Sequence, residues 1–290
     1  MRYNHSKDLP GSTVRRRPWG YLTEIAVFVA VVAVNLAPFI WGALTSLKPI
    51  REVLAYPPKA FGSSISAEHY AEVFKGSFMT GVRNSLLYSL AAILCGLFLA
   101  LTAAYAMSRF RFRGKKIFFI LILCGIPLSI GSAAMVVPNY TLFSAIGMTN
   151  KWYTLPIIYI AYNLPMAIWI MMSGLEAVPV EIDEAAKIDG AGRWYILFRM
   201  ILPLSLPSLA SSALFIFLGA WNEFVTSSVL VSSSNLYPIQ VSIYNYMGFY
   251  GRQWGPLTAA ATAAVIPTLI VFTFLGRLLI SGLTSGSVKD

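Results

Sequence analysis

The chain has 290 residues, of which 57% are hydrophobic and only 12% are charged. Soluble domains carry about 25% charged residues, so this composition excludes an ordinary soluble protein and predicts an all-α integral membrane protein. The net charge of +10 does not indicate a nucleic-acid partner, because its clusters flank apolar stretches, as membrane orientation signals do. Cys95 and Cys124 both lie in apolar runs, so no disulfide framework and no metal site are predicted.

Six apolar stretches predict six transmembrane helices. The first, at 22–47, is too long for the apolar core of a cleavable signal peptide, which has about 7–15 residues. A polar segment with a short helix at 67–74 should follow it. The third stretch is interrupted by Pro127, Gly131 and Pro138, which a membrane helix tolerates where neighbours satisfy the freed backbone. The other five helices are expected at 85–107, 117–143, 152–175, 204–231 and 256–280.

Lysine and arginine residues predict the orientation of these helices. The loop between the second and third helices carries a basic cluster at 109–116, whereas the turn before the fourth helix carries only Lys151. Basic loops stay in the cytoplasm, so both termini should be cytoplasmic. The predicted division is a cytoplasmic tail at 1–20, a first helix and external loop at 21–83, a transmembrane core at 84–281 and a cytoplasmic tail at 282–290. The expected location is the cytoplasmic membrane of a bacterium or archaeon.

A short polar insert separates the fourth and fifth predicted helices. Asp183 and Glu184 lie in its first turn, where acids suit the positive end of a helix dipole. Asp183 and Lys187 are four positions apart in the favourable order for an ion pair. Gly190 should end this helix with a positive φ. A second, amphipathic helix is predicted from one apolar stripe, formed by Trp194, Leu197, Phe198 and Ile201. An ordinary interfacial loop would show the same pattern, since interfacial amphipathic helices are common.

The spacing of residues in this insert resembles the EAA loop of ABC importer permeases. The family pattern is EAA, three residues, G, nine residues, then I, any residue and LP. Met200 occupies the position where the family usually has Ile or Val. The matching residues are Glu184, Ala185, Ala186, Gly190, Leu202 and Pro203. The resemblance implies that the helix carrying Asp183 and Lys187 couples to a cytoplasmic ATPase. Glu184 would be the charged contact, Ala185 and Ala186 the close-packing face, and Gly190 the corner.

Other motifs resemble the carbohydrate-uptake subfamily of maltose-transporter type. They are Asn84-Ser85-Leu86, Trp221-Asn222-Glu223-Phe224, the segment 250–254 and Gly282-Leu283-Thr284. The resemblance implies a second permease subunit, a dimeric ABC ATPase, an extracytoplasmic solute-binding protein and a carbohydrate substrate. No GxxxxGK[ST] motif is present, so ATP should bind the partner ATPase, and neither a cofactor nor catalytic activity is expected here. The resemblance also makes the tail a candidate ATPase contact, through Gly286, Val288 and Lys289.

Several alternatives remain open at this stage. Glu223 is a carboxylate within a predicted helix, where charge is costly, so it could line the translocation path, pair structurally or lie at the interface. Asn163 and Asn222 are further candidates for the path, although Asn163 could equally bond between helices. A stand-alone secondary transporter or channel would use Glu223 for ion coupling. An importer of a non-sugar solute is also consistent with the sequence.

Overall fold

A computed structural model describes residues 18–285, apart from 58, 60, 131 and 249–252. Within this part of the chain, every regular element is helical. Four helices are long and apolar enough to cross a membrane. They are Thr23–Ser46 in α1 (Pro18–Ser46), α3 (Phe78–Arg109), α6 (Thr154–Glu176) and Trp254–Leu278 in α13 (Trp254–Ser285). A bent pair, Arg193–Leu204 with Leu206–Asn222, makes a fifth candidate, and its two halves meet at 85°.

The remaining helices connect or complete these spans. The short helix expected near residue 70 is confirmed as α2 (Glu68–Lys75). The others are α4 (Lys115–Ile130), α5 (Ser132–Ala145), α7 (Val180–Ile188), α8 (Arg193–Tyr195), α9 (Leu202–Leu204), α10 (Leu206–Asn222), α11 (Val225–Leu230) and α12 (Ile239–Tyr244). A π-helical segment, Ile196–Ile201, joins α8 to α9. Short 3-10 turns lie at Ile50–Glu52, Ser234–Leu236 and Asn245–Met247.

Two predicted spans differ in the structure. The third is divided into α4 and α5, of 16 and 14 residues, and each is shorter than the roughly 20 residues that cross a bilayer. The continuous fifth helix predicted at 204–231 is wrong, because α10 stops at Asn222 and Glu223 is extended. At the C-terminus, α13 runs to Ser285, so residues 282–285 of the expected tail are helical. Gly286, Val288 and Lys289 lie outside the described residues.

The core is formed where α3, α6 and α10 pack together. Leu155 and Met171 of α6 and Ile216 of α10 are fully buried there. Two glycines set the α6–α10 distance: a Cβ on Gly174 would lie 2.1 Å from Ser208 Oγ, and one on Gly219 would lie 2.0 Å from Asn163 Oδ1. Small residues at helix crossings let membrane helices approach closely, so these positions hold the central bundle tight.

The first helix stands at the margin of this bundle. Its residues 23–41 are all exposed, and it packs on α13. Among its described side chains, only those near its C-terminal end are buried, where Ser46 Oγ lies 2.8 Å from the hydroxyl oxygen of Tyr70 on α2. The rest of the described chain therefore leaves the apolar surface of α1 uncovered.

The segment 230–247, which we call the outer segment, is folded against α3. Asn84 Nδ2 donates to the carbonyls of Asn235 and Tyr237 at 2.8 and 3.0 Å. The backbone amide of Ile239 donates to Ser85 Oγ at 2.8 Å, and the Ile239 side chain is fully buried. These contacts attach the outer segment to the beginning of α3.

A second attachment comes from the turn before α6. Asn150 has a positive φ of 56°, which asparagine tolerates better than most residues. Its Oδ1 accepts from the backbone amides of Ser232 and Ser233 at 3.1 and 3.0 Å, and the Asn150 backbone amide donates to the Leu230 carbonyl at 2.8 Å. The Asn150 turn and the outer segment therefore lie at the same end of the bundle.

Replacing Asn84 by alanine should destabilise the protein by about 1–3 kcal/mol, because two partly buried carbonyls lose their donor. The measurement is thermal unfolding of the purified complex in mild detergent. Asn35→Ala is the matched control, since the exposed Asn35 amide bonds only within its own helix, to the Val31 carbonyl. Equal unfolding temperatures for the two variants would contradict the attachment of the outer segment through Asn84.

Candidate functional site

Helix α7 presents two different faces. Pro179 precedes it with φ −57° and ψ 138°, and Glu181 and Asp183 occupy its first turn, where acids are stabilised by the dipole. On the inner face, Asp183 and Ala186 are 1% and 3% exposed. On the outer face, Glu184 and Lys187 are exposed. The helix is therefore fixed to the chain on one side and open to a partner on the other.

The expected ion pair between Asp183 and Lys187 is wrong. Asp183 Oδ2 lies 2.9 Å from Arg109 Nε at the end of α3, and the two side chains are only 2% and 7% exposed. Arg109 Nη2 also donates to the Val178 carbonyl at 2.8 Å. The local spacing rule fails because Asp183 lies on the inner face of α7, away from water. A buried carboxylate needs a close cation, and Arg109 supplies it.

The close-packing face expected at Ala185 and Ala186 is also corrected. Ala186 packs in the chain's own core, so of the two only Ala185 is exposed. Ile188, which the sequence reasoning missed, is 87% exposed at the end of α7. An isoleucine between Lys187 and Asp189 on a polar insert was the available signal. Glu184, Ala185 and Ile188 form the exposed surface that we call the handle face.

The glycine corner expected at Gly190 is confirmed. Its φ is +79°, a conformation that side-chain-bearing residues rarely adopt. The Gly190 amide donates to the Lys187 carbonyl at 3.1 Å, and the Ala191 amide donates to the Ala186 carbonyl at 2.9 Å. These two bonds form a Schellman motif, which satisfies the last carbonyls of a helix. The corner therefore ends α7 firmly and redirects the chain into α8.

The second arm of the insert contains a π-helical turn instead of a regular amphipathic helix. In a π turn the hydrogen bonds run over five residues rather than four, and Ile196 and Ile201, five apart, are both fully buried. The expected single stripe is split as a result. Leu197 is buried, whereas Trp194 and Phe198 are exposed and stack with ring centroids 5.9 Å apart. This arm is anchored through isoleucines and presents aromatic rings outward.

Glu223 caps a helix in the structure. Its two carboxylate oxygens accept from the backbone amides of Thr226 and Ser227 at 2.6 and 3.0 Å, and the Ser227 hydroxyl also donates to it. These amides belong to the first turn of α11, where the backbone N–H groups have no acceptors within the helix. Of the three readings of Glu223, this geometry favours structural pairing.

The other two candidates for the translocation path also make local bonds. Asn163 donates to the Tyr159 carbonyl at 2.8 Å and packs on Gly219, while the exposed Asn222 donates to the Leu218 carbonyl at 3.0 Å. Tyr159 connects this region to the Glu223 cap, because its hydroxyl oxygen lies 2.8 Å from Ser227 Oγ. A role for Asn163, Asn222 and Glu223 in the path stays a prediction.

Sequence reasoning missed the hydroxyl groups that accompany these residues. Asn139 Nδ2 of α5 donates to the hydroxyl of Tyr162 at 2.6 Å, and that hydroxyl lies 3.4 Å from Thr226 Oγ1. Together with Tyr159 and Ser227, they join α5, α6 and α11 through polar contacts. No local spacing rule indicates these bonds, because their partners lie on different helices.

A bundle of long apolar helices with a two-armed polar insert defines a multi-pass membrane permease. The family model described as "Binding-protein-dependent transport system inner membrane component" matches residues 76–285. The chain belongs to this family. Its biological role is therefore that of the membrane permease in a binding-protein-dependent transport system, a family of transporters rather than of catalysts.

Similar proteins cover nearly the whole chain. The diacetylchitobiose uptake system permease protein DasC of Streptomyces coelicolor is 31% identical over 276 residues, covering 94% of this chain and 97% of the relative. The trehalose/maltose transport system permease protein MalG of Thermococcus litoralis is 31% identical over 268 residues, covering 91% and 94%. The galactooligosaccharides transport system permease protein GanQ of Bacillus subtilis is 31% identical over 274 residues, covering 91% and 93%.

Solved structures show the same fold. A chain of a bacterial ABC transporter that imports the acidic polysaccharide alginate superposes with a TM-score of 0.77 at 21% identity, covering 89% of this chain and 95% of that chain. The alginate transporter in complex with a pentasaccharide-bound periplasmic protein gives 0.63 at 18% identity, covering 89% and 92%.

The two glycines at the corner provide a matched test of its geometry. Nothing lies within 4 Å of a Cβ built on either Gly190 or Gly192, but only Gly190 has a positive φ. Gly190→Ala should therefore cost about 1–2 kcal/mol, the penalty of the left-handed conformation, whereas Gly192→Ala should cost less. Hydrogen exchange of the α7 amides and thermal unfolding are the measurements. Equal losses of protection would contradict the corner.

Proposed function

We propose that the chain is the transmembrane permease subunit of an ATP-driven importer of a carbohydrate. The observation that carries the proposal is family membership over residues 76–285, together with relatives named for diacetylchitobiose, trehalose and maltose, and galactooligosaccharides. A second permease subunit would form the other half of the translocation path. The exposed helix α1 leaves apolar surface that lipid or that subunit would cover.

The proposed topology has six membrane crossings and both termini in the cytoplasm. The crossings are α1, α3, α4 with α5, α6, α10 and α13. Two sets of contacts support it: Arg109 bonds to Val178 at one end of the bundle, and Asn84 bonds to the outer segment at the other. The basic cluster at 109–116 lies at the same end of the bundle as α7, and basic loops are cytoplasmic. Helix α7 and the insert would then face the cytoplasm, and the outer segment would face outward.

The handle face is the proposed contact with a dimeric ABC ATPase. ATP binds and is hydrolysed in that partner, so this chain's task is to receive a movement and pass it to its helices. Glu184 offers a charge, Ala185 allows close approach, and the 87% exposed Ile188 offers an apolar side chain for a partner pocket. The Asp183 and Ala186 side holds the helix to the bundle. A helix fixed on one side and open on the other can be pushed without separating from its own fold.

The outer segment is the proposed contact with an extracytoplasmic solute-binding protein. Its backbone is held by Asn84, Ser85 and Asn150, so a partner would meet a shaped surface rather than a free loop. The rival hypothesis of a stand-alone transporter relied on Glu223 as an ion-coupling group. The cap engages both of its carboxylate oxygens, which favours the importer.

Reversing the charge of the handle face should separate the ATPase from the permease. Glu184→Arg is expected to lower the amount of ATPase that copurifies from native membranes in mild detergent by about ten-fold or more, because a like charge now faces the site that received a carboxylate. Glu68→Arg makes the same charge change on an exposed residue of α2, at the outer end, and should leave the amount unchanged. Recovery of the permease without any ABC ATPase, or full ATPase recovery with Glu184→Arg, would contradict the proposal.

The substrate class has its own test. Cells that carry the intact transport system should take up at least one labelled sugar from a set of diacetylchitobiose, trehalose, maltose and a galactooligosaccharide, and deletion of this chain should abolish that uptake. An amino acid and an osmoprotective compound serve as comparison solutes. Uptake of a comparison solute alone would contradict the proposed carbohydrate substrate. The proposed coupling to an ATPase would not be affected by that result.

A further inference from the structure

Arg109 contacts the beginning of α7 at two points. Its Nε lies 2.9 Å from Asp183 Oδ2, and its Nη2 donates to the Val178 carbonyl at 2.8 Å. Val178 immediately precedes Pro179, and Asp183 lies in the first turn of α7. The Nη2 contact is a hydrogen bond, whereas Nε and Oδ2 form an ion pair by proximity, without hydrogen-bond geometry. The last residue of α3 therefore holds both the entry to α7 and its first turn.

The surroundings shield this contact from water. The Arg109 and Asp183 side chains are 7% and 2% exposed, so water screens the pair little. A cation at the end of α3 and an acid at the start of α7 also suit the dipoles of both helices. Removing one partner of a buried pair leaves an uncompensated charge, which is strongly destabilising. A helix that passes its movement to a neighbour needs a contact that resists separation, as a buried ion pair does.

The same end of α3 reaches the second arm of the insert. Phe110 follows Arg109, and the Arg193 guanidinium of α8 lies 5.2 Å from the centre of its ring. Along the chain, α7 is joined directly to α6 through the short link Ala177–Pro179, whereas α3 has no adjacent covalent connection to it. A displacement of α7 can therefore enter α6 through the backbone, whereas Arg109 offers a direct polar contact with α3, in addition to the packing of α3 on α6.

We propose that the Arg109–Asp183 pair is the joint that carries movement of α7 into α3, so that Arg109 is a positioning residue for coupling and not for attachment of the ATPase. This inference rests on the proposed function. It separates attachment of the ATPase from coupling, two properties that the handle face alone would combine. Changes at Glu184 should detach the ATPase, whereas loss of the joint should leave the ATPase bound and reduce the effect of the solute-binding protein on ATP hydrolysis.

The test uses the intact complex in proteoliposomes, with four variants of this chain. Arg109→Met and Asp183→Leu each leave one buried charge, whereas the double variant removes both. Replacing a buried ion pair by apolar residues is often neutral for stability, so the double variant keeps the test valid if the single variants fail to assemble. Arg111→Met is the matched control, because Arg111 belongs to the same basic cluster but is exposed.

Three quantities are measured per assembled complex: copurified ATPase, basal ATP hydrolysis, and hydrolysis stimulated by the purified solute-binding protein loaded with the sugar that the uptake experiment identifies. The double variant should keep the first two and lose about ten-fold in the ratio of stimulated to basal hydrolysis, a size typical of coupling between two sites. Arg111→Met should match the wild type.

A wild-type ratio in the double variant would overturn the joint, since a merely structural pair would affect only how much complex assembles. Loss of copurified ATPase from a double variant that inserts normally would also overturn it, because the pair would then serve attachment. If the wild-type chain itself copurifies with no ATPase, the proposed function fails, and this inference fails with it. Failure of the function is thereby distinguished from failure of the joint.

Discussion

A polar group that leaves water in this fold gains from a partner within the chain, because lipid offers none. Arg109 meets a carboxylate and a carbonyl, Glu223 meets two amides, and Asn84 meets two carbonyls. Each of these side chains lies at or near the end of a helix, where backbone groups lack intrahelical partners. These three polar residues therefore connect the ends of helices, while close glycine contacts hold α6 against α10.

The features that were predictable from sequence depend on local information. Apolar stretches of about 20 residues identify membrane spans by length alone, and α1, α3, α6 and α13 follow that rule. Gly190 was predictable because its positive φ is a demand on a single residue. The spacing from Glu184 to Pro203 identified the insert in the same way, since it is read along the chain without knowledge of the fold.

The features that were not predictable depend on contacts between distant residues or on competition between helical forms. Arg109 and Val178 are 69 positions apart, and the local rule for Asp183 indicated Lys187 instead. Nothing in the hydropathy of α10 shows that Glu223 interrupts the helix and caps the next one. The spacing of Trp194 and Ile201 fits an α-helix, but the π turn places them on different sides of the arm. In each case the choice of buried face decided the outcome.

The packing of α1 on α13 joins the two ends of the chain. The ribosome produces α1 well before α13, so the first helix is made before its main neighbour exists. Contacts of such sequence separation slow folding, because a long loop has to close before they form. The largely apolar surface of α1, exposed from 23 to 41, is compatible with lipid before α13 is present. A chain truncated before α13 would therefore leave α1 without its main neighbour.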